Sequence, residues 1–225
     1  IFLSLFFFSV PFKSVAVTVK NLSGEWSVHG KNISGKVHLP GTLAEAKLGA
    51  HFTAEDWLKD NDRRSKGALT REYQYRGKVV YERTFTLTEE EAKYPLELVL
   101  ERVMLHSEVE FDGENIGSFD SLSVPHVYAV PRRLVKPGCH TIRLLLDNSN
   151  RYNFSEWAHS YGPVMQSVWH GVVGKLLLRR QNPLRQARIF ASWPANKRFE
   201  IELPDDCIIS ASDLVFSPWK KCGKE

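Results

Sequence analysis

Residues 147–178 read DNSNRYNFSEWAHSYGPVMQSVWHGVVGKLLL and join two apolar runs through a long loop. The preceding run, TIRLLL at 141–146, and the closing run, VVGKLLL at 172–178, have the aliphatic and β-branched content typical of buried strands. The loop between them concentrates rings, amides and imidazoles, at Asn148, Asn150, Tyr152, Asn153, Trp157, His159, Tyr161, Gln166, Trp169 and His170.

This loop composition suits a carbohydrate ligand. A pyranose has an apolar C–H face that stacks on aromatic rings, and hydroxyls that need paired donors and acceptors. The same aromatic residues would also serve to plug the open end of a β-sandwich, because large aromatic side chains are mostly packing residues. Both interpretations stay open from the residues alone. The candidate sugar-binding residues are Asn148, Asn150, Trp157, His159, Gln166 and Trp169.

On either side of this loop, the sequence pattern is typical of short strands. Apolar runs such as KVVYERTFTL and LELVLERV are bounded by Gly, Pro, Asn and Asp, and FDGENIG at 111–117 reads as a hairpin with an Asp-Gly turn. No strand–helix–strand alternation is visible, so the sequence predicts an all-β sandwich or jelly roll over about residues 20–180. The predicted core includes Trp26, Phe85, Leu98, Val109, Leu144 and Val173.

Two short helical segments are also predicted. LTEEEAKY at 87–94 offers Thr88 as an N-cap with acidic residues in the first turn. AEDWLKDND at 54–62 has the composition of a second short helix. Beyond Leu178 the character changes, and ARIFASW at 187–193 and KRFEIELP at 197–204 read as two further strands.

Composition excludes several classes of function. The chain has 225 residues, a formal net charge of +4 and no Lys/Arg block long enough for a nucleic-acid patch. No run of about 20 apolar residues predicts a membrane span. IFLSLFFFSV, followed by Ser14-Val15-Ala16, resembles part of a signal peptide over residues 1–16 and predicts a secreted or periplasmic protein. An apolar first strand is the alternative.

The chain carries no motif for a cofactor, a metal or a catalytic nucleophile. Cys139, Cys207 and Cys222 have no CxxC spacing, and the eight His show no regular ligand spacing. A pairing of Cys207 with Cys222 stays open. Phosphate-binding Gly-rich loops and a G-x-S-x-G elbow are both missing. Glu156 is the one carboxylate inside the aromatic loop, and a hydrogen-bonding role within the loop is favoured for it. We therefore predict no catalytic residue, no metal site and no cofactor.

Five segments, taken in order, resemble the N-terminal sugar-binding domain of glycoside hydrolase family 2, the family of β-galactosidases, β-glucuronidases and β-mannosidases. Each motif is weak alone, and their common order carries the resemblance. The segments are LSGEW at 22–26, HLPGTLAEAKLG at 38–49, YERTFTL at 81–87, SLSVPHVYAVPRRLVKPGCHTIRLLLDN at 121–148, and the spaced set Gln166, Trp169, Gly171 and Gly174.

The resemblance implies a galactose-binding-like jelly roll over 17–182 and the incomplete start of an immunoglobulin-like sandwich over 183–225. In this family the catalytic pair of carboxylates lies on a TIM barrel beyond the second domain. The resemblance thus implies a chain truncated before that barrel, whose partners are the barrel and the terminal sugar of a glycoside. Two alternatives remain: a free-standing carbohydrate-binding or adhesive module, and a protein-interaction sandwich without sugar affinity.

Overall fold

The computed structural model describes residues 18–51, 72–149, 151–152 and 168–181, with the backbone of 188–192 and 198–202. The chain divides into two compact units, Val17–Gln181 and the remainder. The predicted signal-peptide segment, the predicted helix at 54–62 and most of the aromatic loop lie outside the described residues.

The described secondary structure is almost entirely strand. Two short 3-10 turns, Glu91–Lys93 and Arg132–Leu134, accompany the strands. The strands are β1 (Thr18–Asn21), β2 (Gly24–Gly30), β3 (Ile33–Leu39), β4 (Gly41–Thr42), β5 (Ala50–His51), β6 (Tyr73–Gln74), β7 (Lys78–Leu87), β8 (Leu96–Val103), β9 (His106–Phe111), β10 (Glu114–Asp120), β11 (His126–Ala129), β12 (Gly138–Asp147), β13 (Gly171–Arg180), β14 (Arg188–Ser192) and β15 (Arg198–Glu202).

Two large antiparallel sheets and the short antiparallel pair β5–β6 make up the described part of the larger unit. A six-stranded sheet has the order β10-β9-β12-β7-β2-β3, and a five-stranded sheet has the order β1-β13-β8-β11 with β4 also paired to β13. Along β9 and β12, buried and partly exposed residues alternate, as expected for strands with one face on a core. The predicted all-β sandwich is confirmed.

The core between the sheets contains most of the predicted residues. Trp26, Leu98, Val109 and Leu144 are each at most 1 % exposed, and Phe85 packs against this cluster while partly buried. Val173 is a wrong prediction, because it is only half-buried and lies outside the core cluster. The pairing of β13 with β8 shifts register between Val173 and Leu176, so the alternation of strand faces breaks there.

Local turn signals in the sequence were reliable. Asp112 and Gly113 join β9 to β10 with φ of 51° and 82°, as an Asp-Gly hairpin turn requires. The Thr88 hydroxyl accepts the Glu91 N–H at 3.2 Å, and the Glu91 carboxylate accepts the Thr88 N–H at 2.8 Å. Thr88 thus makes the predicted capping contacts with Glu91, but the predicted helix is only the 3-10 turn Glu91–Lys93, whose N-cap residue is Glu90 and not Thr88.

The smaller unit contains one described hairpin. Strands β14 and β15 pair antiparallel from Arg188 opposite Glu202 to Ser192 opposite Arg198. The two strands predicted after Leu178 are therefore present. Their assignment to an immunoglobulin-like sandwich stays a prediction.

Candidate functional site

The two ends of the aromatic loop are joined by a single buried amide. Asn148 is 2 % exposed and follows β12 directly. Its Nδ2 donates to the carbonyl of Tyr75 at 2.8 Å and to that of Trp169 at 3.1 Å, while its Oδ1 accepts the Gly77 N–H at 2.9 Å. Asn148 therefore connects the start of the loop to its end and to the segment before β7.

His170, the residue before β13, forms the second half of this junction. It is 3 % exposed; its Nε2 lies 3.0 Å from the Gly77 carbonyl oxygen and its Nδ1 lies 2.7 Å from the Tyr81 hydroxyl. Since a carbonyl oxygen only accepts, the neutral imidazole carries its proton on Nε2 and accepts the Tyr81 hydroxyl proton at Nδ1. Tyr81 and Tyr75 also contact the imidazole ring, at centroid distances of 5.7 and 5.6 Å.

Burial shifts the pKa values of the His170 imidazole and of its partner, the Tyr81 hydroxyl. Desolvation lowers the pKa of His170 to about 4, although the Gly77 carbonyl and Asp147 act in the opposite direction. The pKa of the Tyr81 hydroxyl is raised well above its ordinary value, again because of burial. Both side chains are consequently neutral at physiological pH. The junction is a neutral hydrogen-bonded network enclosed in the sandwich.

Asp147 precedes Asn148 and fixes the turn into the loop. Its Oδ1 accepts the Ser149 N–H at 2.9 Å, and its main-chain oxygen accepts the Leu105 N–H at 3.3 Å. Burial raises the pKa of this carboxyl group, but hydrogen bonds from Ser149 and the charges of Arg151 and Lys78 outweigh it, so the net pKa is lowered. Asp147 is thus an ionised turn residue.

The Leu-Pro-Gly-Thr-Leu segment contacts the Trp-His-Gly segment directly. Leu43 donates its N–H to the His170 carbonyl at 2.9 Å, and Gly41 and Thr42 pair with the first two residues of β13. At Gly171 a Cβ atom would lie 2.2 Å from the Gly41 carbonyl oxygen, and φ is +143°. Only glycine allows β4 and β13 to approach this closely.

Thr42 closes the turn after β4 with Glu45. The Thr42 N–H and hydroxyl both donate to the Glu45 carboxylate, at 2.7 and 2.9 Å, and the hydroxyl accepts the Glu45 N–H at 3.3 Å. Thr42 is 3 % exposed, so its polar atoms depend on such partners. The Thr-x-x-Glu spacing in the sequence encodes this reciprocal arrangement.

We expect Thr42→Val to lower the free energy of unfolding by about 1–2 kcal/mol, because valine keeps the shape but loses the hydroxyl hydrogen bonds. Urea denaturation followed by circular dichroism would measure it. Thr84→Val, at an exposed position on β7, is the control and should change stability by less than about 0.5 kcal/mol. Equal effects of the two substitutions would contradict the assigned role.

The Tyr-x-Arg and Leu-Ser-Gly-Glu-Trp segments also meet. Arg83 Nη1 donates to the Leu22 carbonyl at 2.6 Å, and its guanidinium carbon lies 6.0 Å from the centroid of the Trp26 ring. Trp26 Nε1 donates to the same carbonyl at 3.0 Å. These contacts attach the start of β2 to β7.

His126 and Tyr128 of the Pro-His-x-Tyr segment form a buried cluster with Ser107 of β9. The Ser107 hydroxyl lies 2.5 Å from His126 Nδ1 and 2.6 Å from the Tyr128 hydroxyl, and His126 Nε2 lies 2.9 Å from the Ser121 carbonyl. Burial lowers the pKa of His126 and raises that of Tyr128 to about 12. Since Ser107 and His126 are both 0 % exposed, this cluster joins β9 to β11 without access to a substrate.

The structure describes two of the six predicted sugar-binding residues. Within the described ranges the Asn148 amide bonds only to backbone atoms, a geometry that favours positioning the loop, and Trp169 is partly buried with its carbonyl oxygen bound to Asn148. Their sugar-binding roles stay predictions. The remaining four candidates lie outside the described residues: Asn150, Trp157, His159 and Gln166.

Beside this junction lies an open cleft of about 640 Å³. One wall is the turn between β2 and β3, and the other is the segment before β7 that Asn148 and His170 hold in place. Sequence reasoning missed this cleft. The side chains and backbone that line it include Lys31, Asn32, Ile33, Tyr75, Arg76 and Lys78.

Among the described residues, no group of three or more His, Cys, Asp or Glu side chains is placed to hold a metal ion. No helix of the described ranges is long and apolar enough to cross a membrane.

Comparison with solved structures identifies the same fold in glycosidases. A β-D-mannosidase from Dictyoglomus thermophilum has a TM-score of 0.52 at 19 % identity, covering 82 % of this chain and 25 % of that chain. A β-glucuronidase from Ruminococcus gnavus has a TM-score of 0.51 at 14 % identity (81 % and 34 %), and a β-D-glucuronidase from Dictyoglomus thermophilum a TM-score of 0.50 at 15 % (82 % and 32 %). The chain thus spans a quarter to a third of these proteins, and the likeness establishes its fold.

No protein-family model and no curated protein sequence matches the chain.

Proposed function

We propose that this chain is the non-catalytic N-terminal sandwich of a secreted family 2 glycoside hydrolase, and that it shapes one wall of the pocket for the terminal sugar. The observation that carries the proposal is the meeting of the family-like motifs at one junction. Leu43 and Tyr81 both bond to His170, and Asn148 bonds to Trp169. The fold shared with solved mannosidase and glucuronidase structures supports it.

Contact between the motifs is informative because they lie far apart in the sequence. Chance matches to short patterns have no reason to contact one another in the folded chain. Here the opening Leu-Ser-Gly-Glu-Trp segment bonds to Arg83 of the Tyr-x-Arg strand, and the same strand bonds to the Trp-His-Gly segment through Tyr81. The motifs therefore form one structural unit. This agreement between the sequence pattern and the contacts in the folded chain supports a common origin with the family.

The geometry suits a scaffolding role. Hydrolysis of a glycosidic bond with retention needs two carboxyl groups about 5–5.5 Å apart, and in this proposal a barrel elsewhere in the protein supplies them. The sandwich contributes a loop whose first and last residues are joined by Asn148 at its buried base. In the proposed pocket, sugar contacts would come from Asn150, Trp157, His159, Gln166 and Trp169, with Asn148 fixing the loop base.

The decisive test is the coding sequence downstream of Glu225. We expect it to encode a barrel of about 250 residues with two glutamates at strand ends. The longer protein should hydrolyse an aryl β-glycoside, mutation of either glutamate should abolish turnover, and the 225-residue chain should show no turnover. A transcript without a barrel in any frame would contradict the proposal and favour a free-standing module.

A further inference from the structure

The turn between β2 and β3 contains the sequence Asn32-Ile33-Ser34. Gly30 pairs with Ile33, so only Lys31 and Asn32 connect the two strands. Asn32 has a φ of 62°, a left-handed conformation that asparagine tolerates better than most residues. Its side chain is exposed and forms no hydrogen bond with the described part of the chain. The turn therefore presents a free carboxamide to solvent.

An asparagine followed two residues later by serine, with a residue other than proline between them, is the acceptor motif for N-linked glycosylation. Such a short motif often arises by chance, so its position in the fold decides whether it can carry a bulky polar group. Ser34, the second residue of β3, is exposed as Asn32 is. β3 is the terminal strand in the order of the six-stranded sheet, and Asn32 also borders the open cleft. The folded chain thus leaves space around both residues of the motif.

A second motif of the same kind lies at Asn21-Leu22-Ser23 and has different surroundings. Asn21 is the last residue of β1, and its Oδ1 accepts the Ser23 N–H at 2.8 Å. Leu22, between them, is only 1 % exposed and belongs to the core cluster. The Asn21 carboxamide is therefore already bonded within the fold, whereas that of Asn32 is not bonded within the described ranges. A third motif, at Asn153, lies outside the described residues.

We propose that Asn32 is a site of N-linked glycosylation when the chain passes through a eukaryotic secretory pathway. The donor is an oligosaccharide joined to a lipid diphosphate. Asn32 Nδ2 forms a bond to the anomeric carbon of the first sugar and loses one proton. The bond between that carbon and the diphosphate oxygen breaks, and the lipid diphosphate leaves with the electron pair. The Ser34 hydroxyl completes the motif that the transferase recognises.

A glycan at Asn32 is compatible with the sandwich. Nδ2 has no hydrogen bond to a described residue that the modification would break, and the turn lies at the end of a terminal strand. Terminal strands present unpaired backbone groups that favour association with other chains, and proteins commonly cover or charge them. A solvated glycan beside β3 would limit such association.

Expression of the full chain in cultured eukaryotic cells tests the proposal. A cleavable secretory leader is fused before Ile1, so that entry into the pathway does not depend on the predicted signal peptide. The chain is recovered from both the medium and the microsomes, so that retention in the cell does not hide the modification. Peptide-N-glycosidase in 18O-labelled water then converts each glycosylated asparagine into labelled aspartate, and a sample without the enzyme corrects for deamidation.

Mass spectrometry of tryptic peptides assigns the label to a site. After exchange into ordinary water, cleavage at Lys31 separates the peptide that contains Asn21 from the peptide that contains Asn32. We expect the label at Asn32, because its carboxamide is exposed and free of contacts within the described ranges. The circular dichroism spectrum should be the same before and after removal of the glycan.

Two variants remove the site in different ways. Asn32→Asp removes the acceptor amide and keeps a residue that tolerates a φ of 62°. Ser34→Ala removes the recognised hydroxyl and leaves Asn32 in place. Each should lose the Asn32 glycan, whereas Ser34→Thr should retain it, because threonine also supplies the hydroxyl. Ser23→Ala, which breaks the Asn21 motif, is the matched control and should leave the Asn32 glycan unchanged.

Three results would overturn the proposal: an unlabelled Asn32 in the native chain, a label at Asn32 that persists in Ser34→Ala, or loss of the Asn32 glycan in Ser23→Ala. The proposal rests on the secreted state that is part of the proposed function, but the fused leader makes this measurement independent of it. The proposed function is tested by the downstream coding sequence. Failure of one therefore stays distinguishable from failure of the other.

Discussion

Gly171→Ala should destabilise the sandwich by at least about 4 kcal/mol, a loss large enough to prevent folding of a marginally stable domain. An added Cβ would lie 2.2 Å from the Gly41 carbonyl oxygen and 3.1 Å from the Thr42 Cα. Both are backbone atoms, so no side-chain rotation relieves the clash. The backbone φ of +143° adds strain for any residue with a Cβ. Urea denaturation, or loss of the folded circular dichroism spectrum, would measure the effect.

Gly138→Ala provides the control for backbone strain alone. Gly138 is also the first residue of a long strand, has φ of +126°, and leaves an added Cβ with no atom within 4 Å. Its substitution should cost about 1–3 kcal/mol. The difference between the two variants isolates the close approach of β4 and β13. If both variants lose the same stability, that contact has no energetic importance.

The strands were predictable because their signals are local. Alternating burial along β9, the Asp-Gly turn at Asp112 and the cap at Thr88 each depend on residues within one short segment. Val173 was not predictable in the same way. Its exposure follows from a register shift against β8, and such a shift depends on a strand distant in the sequence.

The candidate site was only partly predictable, because the contacts of its residues are also to segments distant in the sequence. An asparagine beside an aromatic loop has the same sequence pattern whether its amide faces a sugar or the backbone. Asn148 bonds to Tyr75 and Gly77, which lie more than seventy residues away in the sequence. His170 was visible only as one of several loop residues, although its position between an aromatic residue and a glycine that opens β13 is a usable signal.

The cleft was hidden because its charges come from separate segments. Lys31 lies in a hairpin turn, whereas Arg76 and Lys78 flank Gly77. None of these residues belongs to a basic run, so composition gave no indication of a positive surface. Pairing of β2 with β7 brings Gly30 opposite Val79 and so places the two segments side by side.

The buried junction also predicts how stability depends on pH. The pKa of His170 falls from an ordinary value of 6.5 to about 4 in the folded chain. Below pH 6.5 the unfolded chain therefore binds a proton that the folded chain does not. Stability from this group is complete above pH 6.5 and declines as the pH falls towards 4. The full loss is roughly 3 kcal/mol, since one pKa unit corresponds to about 1.36 kcal/mol.

The change should appear as a falling free energy of unfolding in urea titrations from pH 7 to pH 4. His126, whose pKa burial also lowers, acts in the same direction, so the His170 share must come from a difference between variants. His170→Gln should be less stable than the native chain at pH 7, because the Tyr81 hydroxyl and the Gly77 carbonyl lose their fitted partner. Between pH 6.5 and 4 its free energy of unfolding should fall less than that of the native chain, by most of that loss of roughly 3 kcal/mol.

His29→Gln, at an exposed position of β2, should leave the pH profile unchanged. Asp147 does not confound the measurement, because its lowered pKa places its own loss of stability at lower pH than the histidine window. Observation of His170 by NMR gives the direct check, since a buried neutral imidazole keeps its Nε2 proton and its chemical shift down to about pH 5. A His170 that titrates near 6.5 in the folded chain, or parallel profiles for the native chain and His170→Gln, would show that the junction is open to water.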